Sequence, residues 1–501
     1  MLPIGVPAST ICPSRPGPPL CCSLTGSSLP PGRPAARRRP GGILPGPDRR
    51  SYKVCTVTQT HHQPPPAASW LEPPARAFSE AVHGRRLAGT RPAWGPWDWL
   101  LPVLAAGLGG VLRFHRLGEP GSLVFDETYY VKDAYSYLVS GYEREWPEDA
   151  NTSFNAGNPD VLLDSPEYVV HPPVGKWMIA FGMWLFGPDN AFGWRFAAAL
   201  TGTAAVLLVA LIARRLFRSG TLGGVAGLLT AADGHHLVHS RTSLLDIFLM
   251  FWVLAAFGAL LLDRDDGRRR LARRIAAAAG PSGVPDRAAM LPGPLVLWRP
   301  GRLAAGICLG LAVGTKWSAL AFVAVFGLLT VLRDINARRA AGVRGWFAAG
   351  VLRDGVPAFF TMIPAAASAY LVSWTGWFLS ADAYGRQWAA SHPGGSWGWL
   401  PDPLRSLAEY HRSAYTFHQG LDSDHPYESS PWSWLLLGRP TSFYYQGDDF
   451  GEHGCAVRGG CPEAVTVVGN PVIWWAAALA LLVLVFSWIG RRDWRAGAIL
   501  A

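Results

Sequence analysis

Long apolar runs divide the chain from Trp94 onward into segments of membrane-spanning length. A bilayer core of ~30 Å requires about 20 helical residues, and fewer where a helix lines a cavity. In the apolar stretch 303–332, Gly314 favours a break between two short helices over one long helix. We therefore predict eight transmembrane helices, at about 97–114, 195–216, 221–238, 243–262, 303–316, 317–332, 354–378 and 471–489.

Three further segments differ from these runs. The apolar stretch 171–187 has only about a dozen residues after its two prolines, which is too short to span comfortably and predicts a helix at the outer interface. Residues 1–95 are rich in Pro, Arg, Gly and Ser, so we predict a disordered tail or a mis-assigned start upstream of the true one. The catalytic membrane domain is expected at 96–501, where the apolar residues 496–501 resemble the beginning of another helix and indicate C-terminal truncation.

Charge supports a membrane class and sets the orientation. Charged residues make up 16% of the chain, against about 25% in a typical soluble domain. The net charge of +10 could suggest nucleic acid, but short arginine clusters beside apolar runs fit membrane topology better. Placing these clusters in the cytoplasm puts the loops at about 115–194 and 379–470 on the outer side. The clusters are Arg214, Arg215 and Arg218; Arg268, Arg269, Arg270, Arg273 and Arg274; Arg333, Arg338 and Arg339; and Arg491 and Arg492.

Two adjacent carboxylates, Asp126 and Glu127, follow the first predicted helix on its outer side. Adjacent side chains cannot both face one small site as an acid–base couple. One of them can act as a general base toward a hydroxyl while the other holds an acceptor or a neighbouring cation. The alternative is an ordinary hydrated acidic loop, and the spacing alone leaves both interpretations open.

Cations occur near the same membrane boundary. Lys176 follows His171 and a proline pair, where it can reach a lipid phosphate or snorkel to headgroups. Arg241 lies in a polar stretch between two predicted helices, and Asp246 is its expected structural partner; buried charges of this kind often mark a site. Lys316, at the break between the two short helices, is expected to face a cavity.

The second outer loop is rich in aromatic residues and contains His425 and Arg439. This composition suits sugar or peptide binding, and equally suits a loop that packs on the membrane face. Cys455 and Cys461 lie six residues apart, which leaves a disulfide in an oxidising compartment and free thiols as equal alternatives. No histidine spacing of a known metal site is present, so we predict no metal.

Five motifs occur in a fixed order: Asp126-Glu127, HPPVGKW at 171–177, SRTSLLD at 240–246, GLAVGTKWSAL at 310–320, and HPYESSPW at 425–432 with a following Arg439-Pro440. With these motifs the chain resembles the bacterial, actinobacterial form of the protein O-mannosyltransferase family. The resemblance implies an all-α polytopic GT-C glycosyltransferase with large extracytoplasmic loops. It would transfer mannose from polyprenyl-phosphate-mannose to Ser or Thr hydroxyls of secreted proteins, with inversion at the anomeric carbon.

The resemblance also implies roles for the candidate residues. Asp126 would take the acceptor proton and Glu127 would help to place the acceptor. Arg241 and Lys176 would hold the donor phosphate, with further substrate contacts from His171, Lys316, His425 and Arg439. No cofactor or metal is expected, and the expected partners are the donor lipid, membrane lipid and acceptor polypeptides at the Sec translocon, without nucleic acid. The expected location is the plasma membrane, with the site on the extracytoplasmic side.

Two rival functions remain open at this point. A related GT-C transferase could move arabinose, glucose or another sugar from a lipid phosphate donor to a lipid or glycan. A non-enzymatic lipid transporter is the second rival, but transporters usually contain internal repeats and this sequence shows none. The loop at 379–470 is too short and too rich in Trp for the β-trefoil domain of eukaryotic family members.

Overall fold

The structure is a computed structural model of the chain. It describes Leu87 and residues 95–279, 285–394, 398–422, 429–451, 455–458 and 460–500. The chain divides into two units, Met1–Ala68 and Ser69–Ala501, and every described residue belongs to the second. The predicted disordered tail at 1–95 therefore lies outside the described residues, apart from Leu87 and Gly95, and His425 lies outside them as well.

The described part of the chain is mostly helical. In chain order its helices are α1 (Pro96–Phe114), α2 (Glu127–Ser140), α3 (Ala150–Asn155), α4 (Val174–Phe186), α5 (Ala191–Phe217), α6 (Gly220–Ala232), α7 (Gly234–His239), α8 (Leu245–Ala277), α9 (Pro300–Val313), α10 (Ala319–Ala340), α11 (Trp346–Ser373), α12 (Thr375–Leu379), α13 (Trp388–Ser391), α14 (Asp402–Gly420), α15 (Pro431–Trp434), α16 (Pro471–Arg491) and α17 (Trp494–Leu500). Helix α11 contains a π-helical turn at Gly350–Gly355.

Five of these helices, α5, α8, α10, α11 and α16, are long and apolar enough to cross a membrane. Helices α4, α6 and α9 are apolar but shorter. The predicted break near Gly314 is confirmed, because α9 ends at Val313 and α10 begins at Ala319. The predicted span 221–238 is instead divided, since the Asp233 side chain accepts a hydrogen bond from the His236 N–H and begins a separate short helix.

Helix α4 is a single helix, as predicted for 171–187, but it does not simply lie on a surface. One face, which includes Ile179 and Met183, is buried against α2 and α5. The opposite face exposes Phe181 and Trp184. Because the exposed face is apolar, it suits contact with lipid rather than with water.

The membrane helices pack in two groups. Helices α1, α5 and α6 form one group, α8, α9 and α11 form the other, and α5 contacts α8 between them. Glycines allow the close approach of α9 to α11: a Cβ added at Gly306 would lie 2.6 Å from the Met362 carbonyl oxygen, and one at Gly310 would lie 2.3 Å from that of Ala366. This is the small-residue contact by which helices pack in lipid.

A buried network of arginines and aspartates joins α8, α9 and α10 at one end of the second group. The Arg299 Nε donates to Asp263 at 2.8 Å, and Arg302 bonds to Asp334. All four side chains are nearly inaccessible to solvent. Charges at this depth are tolerated because each has an opposite charge within hydrogen-bonding distance.

The outer region contains a β-hairpin that the all-α prediction did not include. Strands β1 (Thr441–Asp448) and β2 (Cys461–Val467) pair antiparallel, with a bulge between Ser442 and Tyr444. The disulfide between Cys455 and Cys461 forms as the spacing allowed. Phe443 is buried in the same core as Val124 and Tyr130, so the hairpin covers the start of α2.

Candidate active site

Asp126 is half-buried and immediately precedes α2. Its carbonyl oxygen accepts hydrogen bonds from the N–H groups of Tyr129 at 3.0 Å and Tyr130 at 3.1 Å, which fixes the first turn. The residue before it, Phe125, has a φ of 51°. A bulky residue in this region costs on the order of 1–3 kcal/mol and persists only where the surroundings impose it. Here the Phe125 ring stacks on Phe443 of the hairpin, with centroids 4.4 Å apart.

Glu127 is fully buried and forms a bidentate ion pair with Arg195 of α5. The Arg195 Nε donates to Oε1 at 2.8 Å, and the terminal Nη2 donates to Oε2 at 2.7 Å. The same carboxylate accepts the backbone N–H of Val124 at 2.9 Å and that of Ser243 at 2.8 Å. Arg195 also donates to the Pro120 carbonyl at 2.6 Å. This Glu127–Arg195 pair therefore ties the loop before α2 to α5 and to the SRTSLLD motif.

The burial of Glu127 corrects the role inferred for it from the sequence. Its two oxygens are occupied by four donors and are inaccessible to solvent. An acceptor substrate has no free carboxylate oxygen to contact there. Glu127 instead holds a neighbouring cation, Arg195, which is one of the alternatives that the sequence left open, while the adjacent Asp126 is only half-buried.

A second carboxylate, Asp246, lies at the start of α8. Burial raises the pKa of the Tyr130 hydroxyl, and the negative charges of Asp126 and Asp246 raise it further. The Lys316 Nζ lies 3.1 Å from the Asp246 Oδ1, and both side chains are partly exposed. Asp246 therefore pairs with Lys316, and its predicted pairing with Arg241 is wrong.

The His171 ring lies beside Tyr130 and His418. Its ring centroid is 6.0 Å from that of Tyr130 and 5.5 Å from that of His418 on α14. Burial, with the charges of Lys316 and Lys176 adding, lowers the pKa of His171 to about 3. The imidazole is therefore neutral at physiological pH and can donate or accept one hydrogen bond without adding charge.

Lys176 is the clearest correction among the predicted cations. Its side chain is fully buried, and its Nζ lies 2.8 Å from Glu143 and 3.3 Å from Asp133. The ammonium group is thus neutralised by two carboxylates and cannot snorkel to a lipid phosphate. The prediction failed because both partners lie more than 30 residues away in the sequence, on α2 and on the loop that follows it.

Arg241 has a capping function that the sequence did not predict. Its Nη1 donates to the carbonyl oxygens of Leu112 at 3.0 Å, Arg113 at 3.0 Å and His115 at 2.6 Å. Its Nη2 donates to that of Arg116 at 3.0 Å. These bonds satisfy the last carbonyls of α1 and fix the chain that leads to Asp126. The Arg241 guanidinium is already bonded to four carbonyl oxygens, and its contact with a donor phosphate stays a prediction.

Several residues around the candidate active site were not predicted to belong to it from the sequence. Tyr130 is four positions after Asp126 on α2, which was a local signal that could have been used. The ring centroids of His239 and Phe443 are 5.5 Å apart, and those of Trp317 and His418 are 6.3 Å apart. These contacts depend on packing and have no sequence signal. The described part of the outer loop also includes Arg439, which is exposed and whose role stays a prediction.

The candidate site contains one partly accessible carboxylate and one partly accessible cation. Asp126 is half-buried, and the Lys316 side chain is 30% exposed. Within the described ranges no group of three or more His, Cys, Asp or Glu side chains could hold a metal ion. A carboxylate and a lysine of this kind can act as a general base and as a cation toward a phosphate.

Comparison with known proteins identifies the family. Residues 170–280 match the family model described as dolichyl-phosphate-mannose-protein mannosyltransferase, and residues 403–496 match the C-terminal four-transmembrane region of protein O-mannosyltransferase. The polyprenol-phosphate-mannose–protein mannosyltransferase of Mycolicibacterium smegmatis is 38% identical over 82% of this chain and 76% of its own length. The Corynebacterium glutamicum enzyme of the same name is 33% identical over 81% of this chain and 77% of its own length.

Among solved structures, the yeast Pmt1–Pmt2 protein O-mannosyltransferase complex bound to the sugar donor is similar with a TM-score of 0.42 and 21% identity. The similarity covers 59% of this chain and 36% of the yeast chain. The prediction of a helical multi-pass membrane glycosyltransferase is confirmed through the sequence relatives and the apolar helices. This chain belongs to the protein O-mannosyltransferase family.

Proposed function

We propose that this protein transfers mannose from polyprenyl-phosphate-mannose to Ser or Thr hydroxyls of secreted polypeptides, with inversion at the anomeric carbon. The observation that carries the proposal is the placement of Asp126. This half-buried carboxylate is held by a strained residue before it and by the Glu127–Arg195 pair after it. The names of the mycobacterial and corynebacterial relatives support both the donor and the protein acceptor.

In the proposed reaction Asp126 accepts the proton of the acceptor hydroxyl. The hydroxyl oxygen attacks the anomeric carbon of mannose from the face opposite the phosphate, and the bond from that carbon to the phosphate oxygen breaks. The polyprenyl phosphate leaves with the electron pair, so no general acid is needed. Base catalysis of this kind typically contributes about 10²–10⁴-fold.

Lys316 is the proposed cation for the departing phosphate, in place of the buried Lys176. Its side chain is 30% exposed and its single described carboxylate contact, Asp246, is itself 47% exposed. Neutral His171 beside it can hydrogen-bond the phosphate or the sugar without repelling either. No metal enters the proposed reaction, because the cation and the base are both side chains.

The proposed location of the site is the extracytoplasmic face of the plasma membrane. Arg195 near the start of α5 contacts the residue after Asp126, whereas Arg214 and Arg215 lie at the other end of the same helix. About 20 residues of helix separate the two ends, which corresponds to roughly 30 Å, the thickness of a bilayer core. The arginine-rich end belongs in the cytoplasm. Acceptor polypeptides would meet the site as they leave the Sec translocon.

The test uses membranes that contain the full chain, labelled polyprenyl-phosphate-mannose and a Thr-rich peptide. We expect labelled peptide from the wild type and a loss of at least about 100-fold for Asp126→Asn, because the base is removed. Asp402→Asn is the matched control, since Asp402 also lies in the first turn of an outer helix and is exposed. Label on an added lipid acceptor instead of the peptide would favour the rival GT-C transferase, and equal activity of Asp126→Asn and wild type would refute the proposed mechanism.

A further inference from the structure

A cavity of about 410 Å³ lies between α5, α8 and the corner where α16 meets α17. It is separate from the carboxylate site and takes no part in the proposed transfer. Its apolar wall includes Leu216 and Leu261, and the Trp494 ring forms one side. The polar wall contains five arginines and two aspartates. These are Arg215, Arg218, Arg264, Arg491 and Arg495, with Asp265 and Asp493.

The cavity lies at the opposite end of the membrane helices from Asp126. Arg195 and Arg215 mark the two ends of α5, about 20 residues and roughly 30 Å apart. Asp246 and Arg264 are similarly separated along α8, by about 18 residues and roughly 27 Å. Both helices thus run from the proposed outer site to this cavity, which places the cavity at the cytoplasmic boundary of the bilayer.

The lining residues carry an excess of three positive charges. Asp265 is shared by two arginines, at 2.7 Å from Arg215 and 2.7 Å from Arg264. Asp493 pairs with Arg495 at 2.6 Å. An anion that entered the cavity would therefore meet an excess of positive charge.

The arginines are also held in place for binding. The Arg264 guanidinium lies 3.4 Å from the centroid of the Trp494 ring, a cation–π contact that orients its plane. Arginine forks bind phosphate oxygens bidentately, and a preformed orientation lowers the entropy lost on binding. Leucines beside the arginines supply the apolar surface that the first methylenes of an acyl chain require.

We propose that this cavity binds the phosphate headgroup of an anionic phospholipid from the cytoplasmic leaflet. The ligand chemistry is a phosphodiester carried on acyl chains. Basic pockets between transmembrane helices at the cytoplasmic side suit such headgroups, because that leaflet is rich in anionic lipid. The proposal is independent of the proposed sugar transfer, since no residue of the cavity belongs to the carboxylate site.

The experiment measures thermal unfolding of the purified full chain in detergent with added phosphatidylglycerol, phosphatidylcholine or inorganic phosphate. Phosphatidylglycerol is expected to raise the unfolding midpoint of the wild type, and the other two additives are not. In the double variant Arg264→Gln/Arg495→Gln, the apparent affinity for phosphatidylglycerol should fall by roughly thirtyfold, at about 1 kcal/mol for each arginine removed. Arg495→Gln alone, on the short α17, serves if the double variant does not fold, with a smaller loss in the same direction.

Arg270→Gln is the matched control, because Arg270 lies on the same helix, pairs with Asp266 as Arg264 pairs with Asp265, and lies outside the cavity. Retained affinity in Arg270→Gln, together with its loss in the cavity variants, supports the proposal. An equal response to phosphatidylcholine, or equal affinity in cavity and control variants, overturns it. An equal response to inorganic phosphate overturns the lipid assignment and leaves a site for a soluble anion.

Discussion

The adjacent carboxylates Asp126 and Glu127 allow a sharp test, since the same change from carboxylate to amide should affect the stability of the protein differently at the two positions. Glu127→Gln replaces one carboxylate oxygen by an amide nitrogen. Each oxygen accepts one bond from Arg195 and one from a backbone N–H, so either orientation of the amide sets its nitrogen against two donors. Removing one partner of a buried ion pair typically costs about 3–5 kcal/mol, because the other charge remains buried without compensation.

Asp126→Asn should behave differently. The Asp126 side chain is half-buried and does not cap α2, whereas Glu127 is fully buried, so Asp126→Asn is expected to lower the free energy of unfolding by less than Glu127→Gln does. The transfer rate should nevertheless fall by at least about 100-fold, because the amide cannot accept the acceptor proton. Glu127→Gln should lose transfer together with stability, since the residue acts by holding Asp126 in place.

The assay follows unfolding in detergent and mannose transfer in membranes for both variants. The double variant Glu127→Gln/Arg195→Met adds a readout that a merely structural role would not give. It removes the uncompensated guanidinium and should recover part of the stability, but the transfer rate should stay low because the loop at Pro120 and Ser122 loses its anchor. Wild-type stability of Glu127→Gln, or equal destabilisation by Asp126→Asn, would refute the division of roles.

Three further predictions concern packing and buried charge. Gly310→Ala should destabilise the protein by about 1–3 kcal/mol, because its Cβ would meet a backbone oxygen at 2.3 Å, whereas Gly327→Ala, with no atom within 4 Å, should be tolerated in the same unfolding assay. Lys176→Met should cost about 3–5 kcal/mol by leaving two buried carboxylates unpaired, and a thermal midpoint equal to that of the wild type would contradict this. Burial and the charge of Asp133 raise the pKa of Glu167 from 4.5 to about 7, so the folded state favours the protonated form and loses this stabilisation as the pH rises from 4.5 through 7. Glu167→Gln, which is always neutral, should therefore gain stability relative to the wild type on going from pH 4.5 to pH 8, and unfolding curves with a constant difference across that range would exclude the effect.

The sequence was sufficient for the main elements of the fold. Apolar run length, compared with the thickness of a bilayer core, predicted eight helices; seven of them coincide with a helix of the structure, and the span 221–238 is divided between α6 and α7. Five of the helices are long and apolar enough to cross a membrane, and Gly314 marked the break between α9 and α10. The order of motifs gave the family, which the relatives confirm. The prediction missed the division of 221–238 at Asp233 and the hairpin of β1 and β2, whose short aromatic strands gave little pattern beyond loop composition.

The site itself was only partly predictable from the sequence. The Asp126–Glu127 pair was predicted to be the chemical centre, and the full burial of Glu127 beside a half-buried Asp126 depends on Arg195, 68 residues away. The choice between two candidate lysines was likewise decided by distant partners: Glu143 neutralises Lys176, and exposed Asp246 pairs with Lys316.

What the sequence alone determined is which segments form helices that are long and apolar enough to span a bilayer, because the energy of burying apolar residues in lipid depends on composition and length. What the tertiary structure decided is which charged side chains form buried ion pairs and which remain partly exposed to solvent. That outcome depends on how α2, α5 and α8 pack, since Coulomb attraction and desolvation change over a few ångströms and no local pattern specifies those distances.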